Sequence, residues 1–139
     1  MRTIVLAAAL MSSPVLAQVG FYKLSEPSGV SKTWGEMCIE KGANELLEVT
    51  LFGGYCPSED CLNMRFDSMS FRAKPKNGIL SYSDDKCTLR VVLRKGGAQV
   101  VQKGHCSDYD LLAGNYVKRA SEVWEDDCSP RGTEETHHN

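Results

Sequence analysis

Six cysteines, Cys38, Cys56, Cys61, Cys87, Cys106 and Cys128, constrain this chain more than any other feature. Their number is even and they are spread through a short sequence, the pattern of a disulfide framework in an oxidising compartment. The amino terminus agrees with that compartment. Arg2 is followed by an apolar run over residues 4–11 and by the small-residue exit Val15-Leu16-Ala17 ahead of Gln18, the layout of a secretory signal peptide cut after Ala17. Removing residues 1–17 leaves a single-domain length, and no later stretch approaches the ~20 apolar residues of a membrane-spanning helix. The expected organisation is a signal peptide over 1–17, one disulfide-stapled β domain over 18–128, and a polar tail without fixed structure over 129–139. The expected location is secreted, in the periplasm. With 18 acidic against 16 basic residues and 42% hydrophobic content, the chain is neither disordered nor an electrostatically driven nucleic-acid binder.

Between the cysteines the sequence reads as short alternating runs broken by Gly, Pro, Asn and Asp clusters. Strands are expected at 19–24, 33–39, 45–52, from 61 onward, 79–83, on both sides of a hairpin within 86–106, and at 115–119. The third has Leu47, Val49 and Leu51 on one face and Glu48 and Thr50 on the other. In the fourth, Leu62, Met64 and Phe66 alternate with polar residues, and then the apolar phase slips by one to Met69 and Phe71. Such a slip is what a β-bulge produces, so a bulge is expected near Asp67-Ser68. Gly53 and Gly54 are expected to open the loop that follows the third strand, and residues 111–113 could begin a helical turn. Seven or eight short strands with little helix imply an all-β fold, a small antiparallel barrel or compact sandwich.

The hairpin carries the sharpest expectation. With Gly96-Gly97 as a two-residue loop, Lys95 faces Ala98 and Cys87 faces Cys106. One face then collects Cys87, Leu89, Val91, Leu93, Val100 and Cys106, with Gln102 as an intruder. A directly opposed hydrogen-bonded pair lies about 5.5 Å apart at Cα, and a bulge near Gly104 would aim the two side chains at each other. Sequence alone leaves many connectivities open; geometry favours Cys87–Cys106, then Cys56–Cys61 as a staple around Pro57-Ser58-Glu59-Asp60, then Cys38–Cys128. The Cys-x4-Cys spacing matches neither a redox exchange site nor a zinc ribbon, so the cysteines read as structural and no metal or cofactor is expected.

Nothing in the sequence matches a known catalytic motif. His105 is the only histidine outside the tail, and four carboxylates (Asp84, Asp85, Asp108 and Asp110) could reach it from turns; a solvated imidazole is the expectation. Two surface features suit binding. One is the stapled loop with Tyr55, Glu59 and Asp60, which a disulfide would preorganise. The other is a basic stripe, Arg90, Arg94, Lys95 and Lys103, in which the expected register sets Arg90 opposite Lys103. Trp34 and Trp124 read as core or rim packing. Together these features imply a non-enzymatic binding protein with a protein partner, of the inhibitor or immunity type, docking a cell-wall hydrolase or toxin. The alternative is a carrier of a small apolar ligand, with Leu47, Val49, Met64, Phe66 and Leu89 lining a cavity.

Overall fold

A computed structural model describes residues 18–28, 33–57, 59 and 61–119. Eight strands form one antiparallel sheet: β1 (Gly20–Pro27), β2 (Thr33–Lys41), β3 (Leu47–Tyr55), β4 (Arg65–Ala73), β5 (Ile79–Ser83), β6 (Cys87–Arg94), β7 (Gly97–Gly104) and β8 (Gly114–Arg119). Their spatial order is β4-β3-β2-β1-β8-β7-β6-β5. This is a meander rolled into a nearly closed barrel. The first and last strands pair with each other, and the remaining gap falls between β4 and β5, which no backbone ladder joins. Phe71 of β4 and Tyr82 of β5 bridge that gap from inside, with ring centroids 5.7 Å apart. Rolling the sheet hides all but these two edges, the usual answer to the aggregation hazard of free strands.

Period-2 alternation selects the interior. Leu47, Val49, Leu51, Leu89 and Val91 are all at 0% exposure, and each such side chain contributes roughly 1.5–3 kcal/mol on leaving water. Phe21 and Cys38, cross-strand partners on β1 and β2, form a separate buried pair. Cys38 is disulfide-bonded; its expected partner, Cys128, lies outside the described residues, as do residues 1–17 and the tail from 129.

Four sequence expectations change. The β6–β7 register sets Cys87 opposite Gly104 and Arg94 opposite Gly97, so the turn is Lys95-Gly96, not Gly96-Gly97. The two glycines have different tasks: Gly96 takes φ +78°, while a Cβ on Gly97 would run into the backbone carbonyl of Tyr116 on β8. The shift is by an even step, so the expected faces survive. Gly53 and Gly54 belong to β3, where they are buried against Leu111 and the Trp34 indole; they are glycines because neighbours press close. There is no bulge at Asp67-Ser68, since β4 pairs with β3 in unbroken register from Arg65 to Ala73. The irregularity lies instead between Leu24 and Glu26, where β1 meets β8. Finally, residues 111–113 form no helical turn; Leu111 and Leu112 are buried at one end of the barrel.

Candidate functional site

All the odd-to-even connections, β1–β2, β3–β4, β5–β6 and β7–β8, lie at one end of the barrel. Both disulfides among the described residues are at this end as well. Cys56–Cys61, with Cα atoms 4.9 Å apart, closes the β3–β4 connection. Cys87–Cys106, at 5.1 Å, ties the start of β6 to a residue just past β7. The second bond forms although Cys87 pairs with Gly104: Gly104 turns with φ +81°, the His105 amide donates to the Lys86 carbonyl at 3.3 Å, and Cys106 is thereby carried over Cys87.

The organising group at this end is Asp67. It lies at an inward position of β4 and is 4% exposed. Its carboxylate accepts hydrogen bonds from Ser107 Oγ at 2.8 Å, from the Tyr109 amide at 3.1 and 3.2 Å, and from the Leu111 amide at 2.9 Å. One side chain from β4 therefore fixes the β7–β8 connection, supplying partners that its buried amides need. Beside it, His105 Nδ1 lies 2.9 Å from Asp110 Oδ2. Gln102 Nε2 donates to Asp110 Oδ1 and to the Gly104 carbonyl, each at 2.8 Å. This resolves which of the four carboxylates meets His105. The imidazole itself is 82% exposed, and the hydroxyl closest in sequence, Ser107, is committed to Asp67. Among the described residues no group of three His, Cys, Asp or Glu side chains could hold a metal ion.

The outer wall beside the stapled loop carries an aromatic cluster. Trp34 on β2, Phe52 on β3 and Phe66 on β4 project outward and are 39%, 38% and 49% exposed. Phe52 and Phe66 are stacked at 5.8 Å with 14° between their planes; Trp34 stands tilted to Phe52 at 5.3 Å and edge-on to Phe66 at 6.2 Å. The register explains the cluster: Gly54 pairs with Trp34 on one side and with Phe66 on the other, and its missing side chain leaves the space that the indole covers. Leu62, 78% exposed, follows the Cys56–Cys61 staple, and the Arg65 guanidinium lies over the Tyr109 ring at 5.2 Å.

Of the residues expected to bind a partner, Tyr55 ends β3, half-buried, and Glu59 is exposed on the stapled loop; Asp60 lies outside the described residues. Arg90, Arg94 and Lys103 point outward from β6 and β7, but they do not join that loop, because β7 stands four places from β3 in the order of eight strands. The like-charge opposition is absent: Arg90 faces Val101 and Lys103 faces Thr88, while Arg94 donates to Gln99 Oε1 at 2.6 Å. For the carrier alternative, Leu47, Val49 and Leu89 face inward, whereas Phe66 is outside and Met64 precedes β4 in the connection. Sequence reasoning assigned neither the aromatic cluster nor Asp67. The signal was present in the phase slip at residues 66–67. Compared with known proteins, the chain matches no family, no curated sequence and no solved structure.

Proposed function

We propose that the chain is an exported, non-enzymatic binding protein that docks a protein partner at its stapled end, in the manner of an inhibitor or immunity protein against a cell-wall hydrolase or toxin. The observation that carries this reading is the exposed Trp34–Phe52–Phe66 cluster beside a disulfide-closed loop. Large aromatics on a surface supply most of the energy of protein recognition once desolvated, and a contiguous exposed patch of this kind marks an interaction site. The ring positions are set by β-strands and the loop by a covalent bond, so little freedom is lost on docking. Among the described residues the same end carries the exposed carboxylates of Glu59, Asp84, Asp85 and Asp108 against Lys86, Lys103 and Arg65. This excess of acid suits a partner with a cationic cleft, which it would steer and occlude. The disulfides are compatible with a location outside the cytoplasm.

The reading is tested with purified protein against a panel of peptidoglycan hydrolases with basic clefts, scored by inhibition and by direct binding. Saturable inhibition of one of them, lost in a Trp34→Ala/Phe66→Ser variant and kept in Lys95→Glu at the opposite end, is the expected result. Equal affinity of the aromatic variant and the parent, or no binding to any enzyme in the panel, overturns the assignment.

A further inference from the structure

The end of the barrel opposite the disulfides holds a second feature. Gln18 stands just ahead of β1, and its backbone carbonyl accepts a hydrogen bond from the Tyr22 hydroxyl at 2.7 Å. Its side-chain Oε1 is buried with no hydrogen-bond partner. Gln18 and Tyr22 line a cleft of about 320 Å³ together with Arg94, Lys95, Gly96 and Lys118. Among the described residues that line it, three are cations and none is a carboxylate.

We propose that Gln18 is a modification site: it becomes the first residue of the mature chain and cyclises there to pyroglutamate. The proposal rests on the expected cleavage after Ala17 and is independent of the docking reading. Cleavage would release an α-amine on Gln18 within the cationic cleft. Neighbouring positive charges disfavour the protonated amine, whose ordinary pKa of about 8 already lies near neutrality, so the free base that acts as nucleophile is more populated. The amine nitrogen attacks Cδ of its own side chain; the N–Cδ bond forms, the Cδ–Nε2 bond breaks, and Nε2 departs as ammonia with a proton from the amine. No oxidant or second substrate enters the balance. Tyr22 clamps the carbonyl of the reacting residue, which leaves fewer torsions to bring amine and amide together. The product is neutral, so a fourth positive charge never accumulates beside Arg94, Lys95 and Lys118. A blocked terminus also denies exopeptidases a hold on β1, the strand that closes the barrel against β8.

The test uses the full chain exported with its own leader, analysed by intact mass and by tandem mass spectrometry of the N-terminal peptide. A peptide starting at residue 18, lighter by one ammonia and opened by pyroglutamyl aminopeptidase, is the expected result. A stable free-amine glutamine at position 18 overturns cyclisation and leaves the cleavage standing; a start at any other residue overturns the cleavage and the proposal with it. The cleft is tested by timing the ammonia loss after release of the terminus. In an Arg94→Gln/Lys95→Glu variant, whose changes lie at the exposed last residue of β6 and in the turn that follows it, the half-time should lengthen several-fold. An unchanged half-time removes the cleft from the account.

Discussion

Asp67 and Phe66 are adjacent residues that each occupy the face opposite to the one their chemistry favours. A carboxylate points into the barrel and an aromatic ring points out, and each departure has a use: one holds the β7–β8 connection, the other contributes to the exposed cluster. A sequence reader sees only the slipped apolar phase and explains it by a bulge, because alternation carries no information about a partner forty residues away. The same limit applies to His105, whose carboxylate is chosen by a loop that Asp67 holds in place. Truncation by Asp67→Ala leaves the buried Leu111 amide and its neighbours without an acceptor. The unpaired groups predict a loss of about 3 kcal/mol in urea unfolding, with Asp67→Asn losing less because one oxygen remains. At high pH two buried tyrosines bear on stability. Burial raises the Tyr22 hydroxyl from 10.0 to about 12 and raises Tyr116 further in the same direction. Because the folded pKa lies above the unfolded one, the contribution is complete below pH 10.0 and is lost as pH climbs towards about 12. Urea midpoints measured across that window should fall, and the fall should be shallower in Tyr22→Phe.

At the scale of elements, the β6–β7 hairpin was legible in its existence, its faces and its disulfide, and illegible in its register. Alternation fixes which side chains share a face, and an even register shift preserves that property. The information that separates the two registers sits in β8, whose backbone approaches Gly97 too closely for any side chain. Gly53 and Gly54 repeat the lesson: glycines that punctuate a sequence like loop residues lie within a strand because Leu111 and Trp34 press on them. The two turn glycines therefore differ in their tolerance of a methyl group. At Gly96 a Cβ meets nothing within 4 Å, so Gly96→Ala carries only the left-handed backbone strain of roughly 1–2 kcal/mol. Gly97→Ala must push β7 away from β8, and thermal unfolding should show a clearly larger drop in Tm for it than for Gly96→Ala. Equal drops would place the turn at Gly96-Gly97 after all.

For the whole molecule, alternation establishes the all-β class but leaves barrel and sandwich open, since closure depends on which strands meet last. Here the first and last strands in chain order meet: β1 pairs with β8 across a register shift between Leu24 and Glu26, and Gly114 permits the approach because a Cβ there would strike the Glu26 carbonyl. With that closure made, the gap falls between β4 and β5, and the two disulfides seen whole among the described residues serve different purposes. Cys87–Cys106 spans 19 residues and is worth about 3 kcal/mol in the chain-entropy account, whereas Cys56–Cys61 spans 5 and is worth about 2 kcal/mol. The short bridge lies on the loop beside the aromatic cluster; the long one anchors the connection that Asp67 organises from within. Replacing each pair by serine should therefore separate folding from recognition. Cys87→Ser/Cys106→Ser should give the larger loss of stability in urea. Cys56→Ser/Cys61→Ser should remain folded, with the far-ultraviolet spectrum of the parent, yet bind the partner less tightly, because ordering the loop would then be charged to the binding step. Should the short-bridge variant instead keep full affinity, the loop would be a structural connection alone, and recognition would rest on the strand-borne rings of Trp34, Phe52 and Phe66.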